Sequence, residues 1–120
     1  MKNVTLVIGA SANPNRYSTI AIKRLIDKEI QIAALGIRKG TVFGVVIDVE
    51  KKNYKNIDTV SLYLNPKSQE LYYNYIINLN PRRVIFNPGT ENREFVKLLH
   101  DNNIESEIAC MLVLLSTNQY

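Results

Sequence analysis

The sequence contains no tryptophan, one cysteine (Cys110) and one histidine (His100). A lone cysteine excludes an intrachain disulfide framework, and one cysteine with one histidine cannot furnish the ligand cluster of a structural zinc site. No run approaches the roughly 20 consecutive apolar residues of a membrane-spanning helix, and the apolar part of the N-terminal MKNVTLVIGASA is too short for a signal peptide. With only five glycines and four prolines, there is no low-complexity segment and no linker. These absences point to a single domain over residues 1–120, cytoplasmic and without membrane contact.

Charge of one sign is lacking too. Fifteen Lys and Arg oppose eleven Asp and Glu, and the cations fall in scattered pairs: Lys23-Arg24, Arg38-Lys39, Lys51-Lys52 and Arg82-Arg83. A mild net charge of +4 spread this way suits a small polyanion as well as nucleic acid. Tyr72, Tyr73 and Tyr75 resemble a stacking platform, but Tyr72 and Tyr75 fall on the apolar face of a helix, which is no nucleic-acid signature. No nucleophile with a paired base can be assembled from this inventory, so the residues point to binding without catalysis.

What is present is an alternation of strands and helices. Thr5 to Ile8 reads as a short buried strand. Gly9-Ala10-Ser11-Ala12 has little side-chain bulk, Asn13-Pro14-Asn15 is turn chemistry, and Ser18 is placed to cap a helix over Ser18–Lys28. Gln31–Leu35 is a second strand, and Thr41–Asp48 is extended around Gly44, as a short extra strand or an edge. Thr59–Leu64 is a third core strand, after which Asn65 caps a helix with Pro66 in its first position. That helix places Leu71, Tyr72, Tyr75, Ile76 and Leu79 on one face. Arg83–Phe86 is a fourth strand, followed by Asn87-Pro88-Gly89 and a helix with Phe95, Val96, Leu98 and Leu99 as its buried stripe. Glu105–Ala109 is the last central strand, and the apolar run Met111–Leu115 fits either element.

This spacing predicts an α/β fold: a mainly parallel sheet of about five strands with helices on both faces. In such sheets the ligand sits at the carboxyl ends of the strands, at the switch point beside the first strand. The loops at Gly9 and Asn87 are expected to face each other there. A strand that reaches a helix through small residues offers backbone N–H groups and the positive end of a helix dipole, which favours phosphate. The dinucleotide pattern G-x-G-x-x-G is missing, and no carboxylate follows Leu35, where Arg38 and Lys39 stand instead. NAD is disfavoured, whereas coenzyme A and NADP, each with a phosphate on the adenosine ribose, both remain.

The run VIGASANPNRYS, the basic turn Arg38-Lys39-Gly40 ahead of Val42-Phe43-Gly44, the phrase Asp58 to Pro66, IFNPGTEN from Ile85 to Asn92, and Ala109-Cys110 resemble the small bacterial CoA-binding domain proteins. These are relatives of the nucleotide-binding domain that begins the succinyl-CoA synthetase alpha subunit. The resemblance covers nearly the whole chain and implies a Rossmann-like doubly wound sheet. It implies that Gly9, Ala10, Ser11 and Asn13, Pro14, Asn15 and Arg16 wrap the pyrophosphate and adenosine 3′-phosphate side of coenzyme A, with Tyr17 and Ser18 also among the cofactor-binding residues. Arg38 and Lys39 would flank the adenosine end, and Asn65-Pro66 with Asn87-Pro88-Gly89 would line the pantetheine groove. The phosphohistidine domain of the synthetases has no counterpart in this sequence, so their ligase chemistry is not expected of it.

Each of these residues also has a structural reading. Gly9 and Ala10 are small enough to let the first helix pack close to the strand end, Arg38-Lys39 suits a solvated turn, and Pro88-Gly89 suits a strand-to-helix turn with Thr90 as cap. Cys110 reads as a small buried hydrophobe or as a thiol near the ligand thiol, and His100 as surface. The expected ligand is coenzyme A or an acyl-CoA. An NADP-binding module of a redox system and a CoA-sensing interaction domain stand as alternatives, and a homodimer is left open.

Overall fold

A computed structural model describes residues 2–120. Seven strands form one sheet in the order β3-β4-β2-β1-β5-β6-β7, parallel except for the β3–β4 hairpin. They are β1 (Val4–Ile8), β2 (Gln31–Leu35), β3 (Gly40–Val42), β4 (Val45–Asp48), β5 (Ile57–Leu62), β6 (Arg83–Phe86) and β7 (Glu105–Ile108). The helices are α1 (Tyr17–Asp27), α2 (Pro66–Gln69), α3 (Tyr73–Leu79), α4 (Arg93–Asp101) and α5 (Met111–Ser116). The count exceeds the expected five because the Thr41–Asp48 segment folds back on itself as a hairpin. Phe43 and Gly44 both take positive φ at its tip, 51° and 80°, as a two-residue type I′ turn requires.

Successive side chains of a strand point to opposite faces, and β1 shows the result. Val7 packs with Ala21, Ile22 and Leu25 of α1 and Met111 and Leu115 of α5 on one face. Leu6 and Ile8 pack with Ile76 of α3 and Phe95 and Leu99 of α4 on the other. The sheet is thus covered on both faces, as parallel sheets must be. A polar row, Thr5, Thr59 and Arg83, runs across adjacent strands beneath Tyr120. The buried Arg83 guanidinium donates to Thr59 Oγ1 (3.0 Å) and the Glu107 carboxylate (3.2 Å) and lies 4.6 Å from the Tyr120 ring.

Three expectations change and one open reading is decided. β7 is an edge strand and not a central one, which is why three of its four residues are not buried even partly. Met111–Ser116 is helical. Arg16, not Ser18, is the N-cap of α1, and Ser18 lies inside the helix, 2% exposed. The helix after Pro66 is broken by a 3₁₀ turn at Glu70–Tyr72, whose tighter winding shifts the phase of everything beyond it. Leu71, expected inward, is 75% exposed, and Tyr73 takes a core place, stacked on Phe95 with centroids 4.3 Å apart. Asn65 does cap α2, accepting from Ser68 N–H at 2.9 Å, with Pro66 behind it.

Candidate functional site

The helix after β1 packs on one face of the sheet and the helices after β5 on the other, so a crevice opens between the carboxyl ends of β1 and β5. A cavity of about 750 Å³ lies there. It is lined by Gly9, Ala10, Ser11, Ala12, Asn13, Arg16, Tyr17 and Ser18 from the first loop and helix, and by Ile37, Arg38 and Lys39 after β2. Tyr63, Leu64, Asn65 and Ser68 supply the wall after β5. The loop facing Gly9 is therefore Tyr63–Asn65 and not the Asn87 loop, because β5 stands between β1 and β6.

Local chemistry fixes the shape of the first loop. Gly9 has φ +92°, and a Cβ there would stand 3.0 Å from the Tyr63 carbonyl carbon. The N–H groups of Gly9 and Ala10 both donate to the Leu35 carbonyl, at 2.9 and 3.0 Å, so these donors are already committed to the fold. Asn13 N–H donates to Ser11 Oγ and Asn15 N–H to Asn13 Oδ1, each at 3.0 Å, and Thr19 Oγ1 donates to the Ser11 and Asn13 carbonyls at 2.6 and 2.7 Å. Those bonds hold the loop against the first turn of α1. Arg16 caps that helix without a side-chain bond, leaving the N–H groups of Tyr17 and Ser18 with no intrahelical acceptor.

Electrostatics in the cavity has one sign. Arg16, Arg38 and Lys39 are exposed, none forms an ion pair among the described residues, and no carboxylate lines the cavity. On the opposite wall the Tyr63 hydroxyl donates to Met111 Sδ at 3.7 Å. Burial pushes the Tyr63 phenol far above its ordinary range, so it stays neutral at physiological pH.

Pro14, Pro66, Asn87, Pro88 and Gly89 do not line this cavity. Asn87 is buried, with its amide turned into the fold: Nδ2 donates to Ser61 Oγ and the Leu62 carbonyl, and Oδ1 accepts from Met111 N–H, all at 2.9 Å. Gln69, fully buried, joins two loops by donating to the Leu64 and Thr90 carbonyls at 2.8 Å and accepting from Asn92 at 2.9 Å. Asn92, and not Thr90, caps α4, its Oδ1 accepting from Phe95 N–H at 3.2 Å. Cys110 is half-buried and lies outside the cavity lining, and His100 is exposed on α4. No three His, Cys, Asp or Glu side chains are placed to hold a metal among the described residues. No helix among them is long and apolar enough to cross a membrane.

Ala12, Ile37, Tyr63, Leu64 and Ser68 were absent from the sequence-derived site. Tyr63 and Leu64 are the instructive cases. Reading the third core strand through Leu64 hides them inside a strand, whereas the strand ends at Leu62 and releases both into the loop.

A doubly wound sheet with a cation-lined crevice at its switch point is the arrangement in which nucleotide-type ligands bind in open α/β folds. The match of residues 3–116 to the CoA binding domain family model makes the assignment specific: the chain belongs to that family. The chain is also similar, at 43% identity, to a crystal structure described as that of an uncharacterized protein; 100% of this chain and 99% of that one are covered, with a TM-score of 0.96. A hypothetical protein from Pyrococcus horikoshii OT3 is 25% identical, over 97% of this chain and 82% of that one, with a TM-score of 0.85. A Thermus thermophilus protein, 17% identical over 99% and 91% of the two chains with a TM-score of 0.85, shares the fold. No curated protein sequence matches the chain.

Proposed function

We propose that this chain is a single CoA-binding domain of the cytoplasm that captures coenzyme A or an acyl-CoA without chemistry of its own. The observation that carries this reading is a cavity at the switch point with three cations that form no ion pair among the described residues and no carboxylate among its described lining, in a member of the CoA binding domain family. Since the Gly9 and Ala10 N–H groups bond Leu35, the pyrophosphate is assigned to Ser11, Ala12, Tyr17 and Ser18 N–H together with Arg16. Arg38 and Lys39 take the ribose 3′-phosphate, and the pantetheine arm follows Tyr63, Leu64 and Asn65.

Isothermal titration with coenzyme A, 3′-dephospho-CoA, NADP and NAD at two salt concentrations tests the proposal. Coenzyme A is expected to bind best, with roughly tenfold weaker binding once the 3′-phosphate is removed, a loss of about 1.4 kcal/mol. Substituting Arg38 and Lys39 together by Gln should erase that difference and reduce the salt dependence. Preference for NADP would shift the assignment to a redox module, and no affinity for any of the four would refute nucleotide binding.

A further inference from the structure

The loop after β1 and the loop after β2 carry the two halves of the proposed phosphate site, and their closest approach lies at a residue that does not line the cavity. Gly36 follows the last residue of β2 and precedes Ile37-Arg38-Lys39. A Cβ at this position would stand 2.3 Å from the Ala10 carbonyl oxygen and 2.9 Å from Ile47 Cγ2. On the same side the Leu35 carbonyl accepts both the Gly9 and the Ala10 N–H, and Gly36 N–H donates to the Asp48 carbonyl at 2.8 Å. Gly36 is therefore held between β4 and the first loop, and only a missing side chain lets Ala10 come so near. No positive φ is involved; space alone demands glycine here.

We infer that Gly36 is a positioning residue for polyanion binding, the point at which the first loop is clasped to the basic turn. The inference rests on the CoA reading for its ligand and on the loop geometry for the clasp. In Gly36→Ala the new methyl needs ordinary contact, 3.4 Å or more, from a backbone oxygen that now lies 2.3 Å away. The first loop must therefore recede from β2 by about 1 Å, which lengthens the Gly9 and Ala10 bonds to Leu35. That movement draws the Ser11 end of the loop away from Arg38 and Lys39, so a ligand that spans both loses the contacts at one end.

The test compares Gly36→Ala with Gly44→Ala. Gly44 lies at the hairpin tip with φ +80° and nothing within 4 Å of its added Cβ, so its substitution strains the chain away from the cavity. Amide hydrogen exchange reads the clasp without ligand, and titration with coenzyme A and 3′-dephospho-CoA reads the site. In Gly36→Ala, Gly9 and Ala10 amides should exchange faster, and coenzyme A affinity should fall by about tenfold or more as preorganisation is lost. The preference for coenzyme A over its dephospho form should shrink as well, a change that lowered stability alone does not produce. Gly44→Ala should keep wild-type exchange at both amides and the wild-type preference. Unchanged amide exchange, or unchanged affinity and preference, in Gly36→Ala would overturn the inference while the CoA reading stands. A wild type that ignores coenzyme A yet shows the faster exchange on substitution would refute the CoA reading and leave the clasp. Should Gly36→Ala not fold, wild-type exchange decides: unprotected Gly9 and Ala10 amides would overturn the clasp, and protection that rises with coenzyme A would support it.

Discussion

Replacing Asn87 by Ala separates a wall-building role from a ligand-contacting one. Its amide makes three bonds of 2.9 Å in a buried setting, to Ser61 Oγ, to the Leu62 carbonyl and from Met111 N–H. At about 1 kcal/mol net per bond the substitution should cost about 3 kcal/mol. Met111 N–H is the partner least able to compensate: the Ser61 hydroxyl can rotate toward another partner, whereas a backbone N–H at the start of α5 cannot. Against a typical domain stability of about 5–15 kcal/mol, that loss lowers the melting temperature by roughly 12 °C for a chain of this length. Asn87→Asp should be at least as damaging at neutral pH, since a carboxylate donates to neither Ser61 nor Leu62 and sets an anion against a carbonyl. Urea unfolding gives the stability, and titration below the transition gives coenzyme A affinity, which should stay within about threefold of wild type, or under 1 kcal/mol. A stability loss under about 1 kcal/mol would show that the network is worth less than its geometry implies. Intact stability with collapsed affinity would move Asn87 back among the ligand contacts.

Two carboxylates are expected to contribute to the loss of stability in acid. The Tyr54 hydroxyl and Lys52 hold Asp48 below the ordinary carboxylate range, and Arg82 does the same for Asp58 through bonds of 2.9 and 3.2 Å. Because their folded values are lowered, the stability they contribute is present above the ordinary range and lost as pH falls through the lowered values. Asp48→Asn and Asp58→Asn should each flatten the acid limb of a urea-unfolding series, and an unchanged limb would refute the assignment. Burial pushes Tyr75 up to about 12, so its contribution is complete below the ordinary tyrosine value and disappears as pH rises toward the folded one. Phenolate absorbance should therefore show Tyr75→Phe removing one late-ionising group, and loss of an ordinary, early one would contradict its burial.

The fold was legible wherever local chemistry decides the outcome. Gln31–Leu35 and Arg83–Phe86 are apolar runs bounded by turn residues, and both strands have the expected limits. Asn65-Pro66 combines a side-chain acceptor with a proline whose missing N–H costs nothing in the first turn, so the start of α2 was legible as well. The errors fall where tertiary contacts choose. A 3₁₀ turn at Glu70–Tyr72 leaves no mark in a helical pattern, yet it exchanges the burial of Leu71 for that of Tyr73. The edge position of β7 is a different case: Glu105–Ile108 carries two carboxylates in four residues, which suits a strand that pairs only with β6, so that signal was present in the sequence.

The candidate site shows the same division, with a consequence for which groups the proposed phosphate contacts can use. Small residues after β1 and cations after β2 could be read from the sequence, and both line the cavity. Which backbone donors remain for a ligand could not, because this depends on where β2 lies relative to the loop. Parallel pairing of Ile8 with Leu35 brings the Leu35 carbonyl under Gly9 and Ala10, and their N–H groups close onto it. Gly9 at the head of the loop thus reflects the tight turn and the approach of Tyr63, and not a free backbone donor. Among the described residues the donors left in this loop are the N–H groups of Ser11 and Ala12 and, at the first turn of α1 beside Arg16, those of Tyr17 and Ser18. Strand order likewise decides that Tyr63 to Asn65 form the far wall while Asn87 stiffens it from behind through Ser61 and Leu62. On the proposed reading, a polyanion is held by the loops after β1 and β2, and each of them is shaped by a neighbouring strand, the first by β2 through the Leu35 carbonyl and the second by β4 through the Asp48 carbonyl.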